Sequence, residues 1–397
     1  MTNKTFSPWP AYTPEETAAV AQVLLSNKVN YWTGTECREF EKEFAAWSDS
    51  QYAIAVANGT VALDLAFQAL RIGAGDEVIV TSRTFLASVS SIVLAGAIPV
   101  FADVCPDSQN ITPDTIKAAF SQRTKAIVCV HLAGWPCDMD PIMEFAAKHG
   151  LYVIEDCAQA HGARYKGRSV GSIGHIGAWS FCQDKIMTTG GEGGMVTTNN
   201  KTFWSKMWSY KDHGKSWEAV YEREHPPGFR WLHDSFGTNW RMTEIQAAIG
   251  RIQLRRMKSW HQKRINYSTE IWTAAKQCNA LRVPETPSNI EHAAYKCYVF
   301  IVPETLKMGW NRDRIIDELS KLGVPCFSGS CSEVYLEKAF DNTPFKPKVR
   351  LKNAQKLGET SLMFLVHPTL TEIEIEKTCR SLSTVMDAAG HAFNDRI

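Results

Sequence analysis

Four places in this sequence could carry chemistry. Lys185 lies in SFCQDKIMTTGGEGGM, after an apolar run and before the glycines Gly190, Gly191, Gly193 and Gly194. A lysine amine attacks carbonyl carbons to form a Schiff base, and it can carry protons afterwards. The glycines permit positive φ and close backbone approach, but the GxxxxGK[ST] order of a P-loop is missing. Asp156 ends the run LYVIED, and the carboxyl ends of strands in open α/β sheets are where ligands bind. Opposite a ring nitrogen, such a carboxylate would hold that nitrogen protonated. Asn58-Gly59-Thr60 joins a strand to a helix, so helix N-terminal N–H groups and the Thr60 hydroxyl could hold a phosphate. Phe85 closes EVIVTSRTF and could lay a flat apolar face on a planar ring. Each also has an ordinary reading: a solvated lysine, a cap or ion-pair carboxylate, a simple N-cap, a core aromatic.

The elements that would position these residues alternate in type. YAIAVA, GAGDEVIVTS, AIPVFADV, KAIVCVHL, LYVIEDCA, GAWSFC and GGMVTT read as strands. Between the first five lie helical patterns: TVALDLAFQAL, the segment from Phe85 to Ala95-Gly96, TPDTIKAAF with Thr112 as N-cap, and MDPIMEFAAKHG closed by Gly150. Strand and helix in alternation predict parallel βαβ units, and the two-sided apolar strands predict helices on both faces of one large sheet. A long basic helical stretch from Met242 leads to a second domain with a strand at 294–302 and helices at 312–323 and 371–386.

Composition narrows the function classes. Forty-three basic against 42 acidic residues give a net charge of +1, which leaves no electrostatic footprint for nucleic acid or an anionic membrane. The opening MTNKTFSPWPAYTPEETAAV has neither a basic n-region nor an apolar h-region. No stretch nears the roughly 18 apolar residues of a membrane span, so a cytoplasmic location is expected. The eleven cysteines are scattered without a CxxC pair and read as small buried hydrophobes, with neither a disulfide framework nor a metal site expected.

In chain order, strand-NGT-helix, an aromatic after the next strand, strand-ED-x-x-Q, and SF-x-x-x-K before GGEGG resemble one family. It is the DegT/DnrJ/EryC1/StrS group, nucleotide-sugar aminotransferases of pyridoxal 5′-phosphate (PLP) fold type I in the aspartate aminotransferase superfamily. The resemblance runs from FEKEFAAW at 40–47 through VANGTVALDLAF, VIEDCAQAHGARYKG and GTNWRMTEIQAAIG to HPTLTEIEIE. It implies an α/β fold with a large domain, a mostly parallel seven-stranded sheet flanked by helices, plus a smaller C-terminal α+β domain. An N-terminal arm and the large domain would occupy residues 1–255, and the small domain 256–397.

By position, the resemblance makes Lys185 the Schiff-base lysine and proton carrier. Asp156 would pair with the pyridine nitrogen, Gln159 face the ring 3′-oxygen and Phe85 stack on the ring. Gly59, Thr60 and Ser180 would hold the phosphate. Asn239, from the neighbouring subunit, would reach the same phosphate, so a homodimer with shared active sites is implied. Family members that remove a sugar hydroxyl carry histidine at the Schiff-base position, and Lys185 therefore favours transamination. The implied reaction moves an amino group from L-glutamate, releasing 2-oxoglutarate, through pyridoxamine 5′-phosphate. The acceptor is a keto carbon, C4 before C3, of a nucleoside-diphosphate-linked deoxy sugar, for surface polysaccharide such as lipopolysaccharide O-antigen or another glycosylated product. Rival readings are sugar dehydration or amino-acid aminotransfer on the same scaffold, and a non-catalytic PLP-binding regulator, for which a DNA-binding appendage is missing. A dehydrogenase is disfavoured because ANGTVAL is not GxGxxG. Two departures from the usual pattern are the Cys182-Gln183-Asp184 spacer and the aromatic-rich loop 211–236.

Overall fold

The computed structural model describes residues 6–391. Runs of β-branched and small apolar residues form Tyr52–Val56 (β1), Glu77–Thr81 (β2), Ile98–Ala102 (β3), Thr124–Val130 (β4), Tyr152–Asp156 (β5), Ile176–Ser180 (β6) and Gly194–Thr198 (β7). They make one sheet in the order β1-β7-β6-β5-β4-β2-β3. Every pairing is parallel except those of β7, which runs antiparallel to β1 and β6. Successive side chains enter different cores, Ile54 and Val56 on one face and Ala53 and Ala55 on the other. Apolar cores on both faces are what helices packed on both sides require.

Helix ends fall where the sequence caps them. The helix Gly59–Leu70 starts at Asn58, whose side chain accepts the Val61 N–H at 2.9 Å. Thr112 caps Pro113–Ala119 in a capping box, and Gly150 ends Met139–His149 in the left-handed conformation at φ 66°. Leu63, Leu65 and Phe67 of the Gly59–Leu70 helix are buried. At about 2 kcal/mol each, their burial fixes this helix, and with it the turn at its start, against the sheet.

The helix Glu244–Lys276 has 33 residues and so spans about 50 Å. The domain change expected between residues 255 and 256 falls inside it. Its first half buries Ala247, Leu254 and Met257 in the core of the large sheet, and its second half buries Tyr267, Ile271 and Ala275 in a separate core. That second core belongs to an antiparallel four-stranded sheet of Leu281–Arg282, Cys297–Ile301, Ser361–Phe364 and Cys326–Phe327, with helices Arg312–Lys321 and Glu372–Ala389. The N-terminal arm lies on this smaller unit: the Ser7 N–H donates to Glu374 at 2.6 Å and Thr369 donates to the Pro8 carbonyl at 2.8 Å. All eleven cysteines are unbridged, and among the described residues no helix is long and apolar enough to cross a membrane.

Three buried histidines tie the fold to pH. Burial pushes His161, His292 and His367 down to about 3, helped by Lys185 and Arg264 near the first, by His261 near the second and by Arg264 and Lys296 near the third. Their unfolded pKa is about 6.5, so the unfolded chain takes up these protons first. Stability from this source is complete above about pH 6.5 and is lost as the pH falls toward 3. At pH 5.5 the three together should cost about 4 kcal/mol. Thermal melts of the holoprotein from pH 8 to 5.5 should show this loss, with His161→Phe removing about a third of it; an identical acid limb in the variant would contradict the assignment.

Candidate active site

Asp156 is the last residue of β5, near the middle of the sheet, and is only 6% exposed. Burial pushes its carboxyl up; a hydrogen bond from Ser88 at 2.7 Å, the Ala158 N–H at 3.1 Å and the charge of Lys185 oppose that. These donors use one lone pair on each oxygen. A carboxylate has about four, so acceptor capacity is left for a ligand N–H.

Lys185 follows β6, the parallel neighbour of β5, in which Ala178 stands beside Asp156. Its backbone N–H donates to Cys182 and its carbonyl accepts the Trp9 indole N–H at 2.9 Å. The side chain is 16% exposed, with Nζ 3.4 Å from Asp184 and 5.4 Å from the Tyr295 ring centre. Burial would raise Asp184, but Lys185, the Tyr295 hydroxyl at 2.5 Å and Lys296 outweigh it and hold the carboxyl below its usual value. The amine is thus oriented by a carboxylate and an aromatic face while still reachable.

The phosphate-type turn closes because of a glycine the sequence offered for another reason. Gly194 pairs with Val56 on one side and Ser180 on the other. A Cβ there would lie 2.4 Å from the Asn58 carbonyl, so only glycine lets β7 pass between the two strand ends. Gly59 consequently meets Ser180 so closely that a Cβ on it would sit 2.6 Å from the Ser180 Cβ. The Asn58 side chain accepts only the Val61 N–H and its carbonyl the Ala62 N–H, so those of Gly59 and Thr60 have no partner among the described residues. The Ser180 hydroxyl accepts from Cys182 at 3.3 Å and keeps its proton free. Two backbone donors, two hydroxyls and a helix N-terminus make an anion cradle.

Gln159 is nearly buried, its Oε1 accepting the Ala133 N–H at 2.8 Å, which turns the two Nε2 protons outward. Ala133 holds a left-handed φ of 57° and its carbonyl accepts from Tyr295, so this loop ties Gln159 to the same wall as Lys185. Phe85 is 71% exposed and free to cover a flat ligand. Asn239 is exposed, with no side-chain hydrogen bond among the described residues; its segment is pinned by Asp212, which bridges its backbone, and by Ala57, which donates to the Trp240 carbonyl. The structure therefore gathers Gly59, Thr60, Asp156, Gln159, Ser180 and Lys185 along one sheet edge and leaves Phe85 and Asn239 at the surface of the single chain. In the 211–236 loop, Phe229, Trp231 and Phe236 are also exposed.

Sequence reasoning missed Ser88, Trp9, Ala133 and Tyr295, whose partners lie 26 to 176 residues away. Only Ser88, three residues past the flagged Phe85, had a local hint. His131, Glu155 and Cys157 also converge. Glu155, however, accepts His131 Nε2 and the N–H groups of Gly171, Ile173 and Gly174, while His131 Nδ1 accepts from Cys137. Every ligand-capable atom of that pair is committed, which makes the cluster a buried structural network.

A reachable amine, a buried carboxylate with spare acceptor capacity and an anion cradle on the carboxyl edge of a mostly parallel sheet fit pyridoxal 5′-phosphate, the cofactor of the fold type I aminotransferases. The chain belongs to the DegT/DnrJ/EryC1/StrS aminotransferase family, whose model matches residues 10–383. It is 37% identical over 362 residues to the GDP-perosamine synthase of Caulobacter vibrioides, covering 88% of this chain and 89% of that one. It is 33% identical over 356 residues to the dTDP-3-amino-3,4,6-trideoxy-alpha-D-glucose transaminase of Streptomyces venezuelae, covering 90% and 88%. An aminotransferase of Psychrobacter cryohalolentis has a similar structure, with a TM-score of 0.95 at 65% identity over 96% of this chain and 99% of that one.

Two outcomes follow from the geometry. Ser88→Ala removes a donor to the charged form of Asp156, so its carboxyl protonates more easily and the acid limb of the pH–rate profile should move to higher pH; an unmoved limb argues against coupling. Gly59→Ala should weaken PLP binding by about tenfold or more, read by absorbance titration of the apoprotein, with unchanged affinity showing that the phosphate lies elsewhere.

Proposed function

We propose that this chain transfers an amino group from L-glutamate to a keto carbon, C4 before C3, of a nucleoside-diphosphate-linked deoxy sugar, in the biosynthesis of amino sugars for surface polysaccharide or a glycosylated product. The carrying observation is the reachable Lys185 amine on the same sheet edge as the buried Asp156 and the Gly59–Ser180 cradle. The names of the relatives support a sugar acceptor: one makes GDP-perosamine and another is a transaminase of a dTDP-linked trideoxy amino sugar.

Bound PLP supplies the electron sink that stabilises negative charge at the carbon beside the reacting nitrogen. The chain does the rest. Lys185 Nζ would hold the cofactor aldehyde at rest and carry a proton to and from the substrate carbon. Asp156 accepts the ring N–H, and its buried setting strengthens that interaction. Gln159 Nε2 donates to the ring oxygen, Phe85 covers one ring face, and Gly59, Thr60 and Ser180 donate to the phosphate. Asn239 of a second copy adds a donor to that phosphate, making the homodimer the working unit. The cytoplasm, which holds glutamate and sugar nucleotides, is the fitting location.

Incubating the holoenzyme with glutamate and a panel of keto sugars linked to UDP, dTDP or GDP should yield one aminated sugar nucleotide per 2-oxoglutarate, read by mass spectrometry. Lys185→Ala should lose turnover and the visible cofactor absorbance. A dehydrated sugar product, or normal turnover in Lys185→Ala, would sink the proposal.

A further inference from the structure

Behind the Lys185 segment lies a cavity of about 410 Å³ bordered by Trp9, Asp184, Arg264, Tyr295, Lys296 and His367. Arg264, on the long helix, is 1% exposed. One guanidinium nitrogen, Nη1, reaches the Tyr295 carbonyl at 3.4 Å, and the Trp9 ring lies 5.3 Å from Cζ. Nε and Nη2 have no partner, and no carboxylate pairs with Arg264 among the described residues. Burial lowers its pKa to about 9 and, with the repulsion of Arg264, that of Lys296 to about 8. A buried cation left without an acceptor is costly to the fold, and two orphan N–H groups on one edge are the fork that a carboxylate or phosphate accepts in bidentate fashion.

The place of the cavity selects between these anions. Trp9, which borders it, also holds the Lys185 carbonyl at 2.9 Å. The amines of Lys185 and Lys296 lie 5.4 and 4.8 Å from the centre of the same Tyr295 ring. An amino donor must bring its α-amine to where the Lys185 amine stands, and Trp9 links the two places, with its indole N–H on the Lys185 carbonyl and its ring 5.3 Å from the Arg264 Cζ. The volume is at the low end of the range of about 300–1,000 Å³ for small-molecule sites, suited to an amino acid and short of a nucleoside diphosphate with its sugar. We infer that Arg264, with Lys296 beside it, is the subsite that binds a carboxylate of the amino donor.

This rests on the aminotransferase reading but not on the identity of the acceptor. Glutarate, a dicarboxylate that lacks the amine, is the probe, titrated calorimetrically into the holoenzyme. Arg264→Met should bind it roughly 10- to 100-fold more weakly, and Arg264→Lys, which keeps the charge without the fork, should fall between. The glutamate concentration that half-saturates the donor half-reaction, followed by visible absorbance, should rise in parallel, while the keto-sugar half-reaction of the pyridoxamine form is unchanged. Arg264→Met should also melt no lower than the wild type, because it removes an uncompensated buried charge; if it fails to fold, Lys296→Met supplies the second arm, with a several-fold loss of glutarate affinity expected. Unaltered glutarate binding in both variants, or a defect confined to the keto-sugar half-reaction, would overturn the inference, the latter by assigning the cavity to the diphosphate. A wild type that binds glutarate through Arg264 yet aminates no sugar nucleotide would leave the subsite standing and remove the sugar proposal.

Discussion

A carboxylate buried at the end of a central parallel strand is the constraint on which the rest of this molecule is arranged. Asp156 is where β5 stops, and taking its charge out of water is expensive unless donors replace the water. Ser88 from the next layer, the Ala158 N–H and the nearby amine of Lys185 supply that replacement. None of these can be placed without the parallel order β4-β5-β6, because parallel strands deliver their carboxyl ends, and the loops that follow, to one edge. The sheet is thus the means by which a lysine 29 positions along the chain comes to share an electrostatic environment with that acid.

Glycine works here by subtraction. At Gly194 and Gly59 there is no room for a Cβ, since the first meets the Asn58 carbonyl and the second the Ser180 side chain. The antiparallel β7 can enter between β1 and β6 only on those terms, and its entry draws a helix N-terminus against a serine hydroxyl. The glycine run after Lys185 therefore serves backbone packing, and the anion cradle results from that packing.

The smaller unit completes the wall that faces Lys185. Trp9 from the arm, Arg264 from the long helix and Tyr295 from the second unit all meet there, although they are hundreds of positions apart in part. The single 33-residue helix rigidly connects the two cores, so Arg264 is held in register with the sheet edge by the packing of Ala247, Leu254 and Met257 some turns earlier. Asp184 departs from the usual spacer of the family and here bridges the Lys185 amine to the Tyr295 hydroxyl.

By itself the sequence determined what depends on neighbours along the chain: the strand and helix alternation, the caps at Thr112 and Gly150, the long helix after Met242, and the candidate chemistry of Lys185, Asp156 and the NGT turn. Periodicity and capping are local physics, legible from residue types over a few turns. Tertiary structure alone decided that Ser88 would support Asp156, that Ala133 would orient Gln159, that Gly194 would let Gly59 touch Ser180, and that Arg264 would be buried without an acceptor. Those outcomes are set by packing between residues far apart in the chain, where neither spacing nor propensity carries a signal, and where the energy of burying a polar group depends on which distant atom arrives beside it.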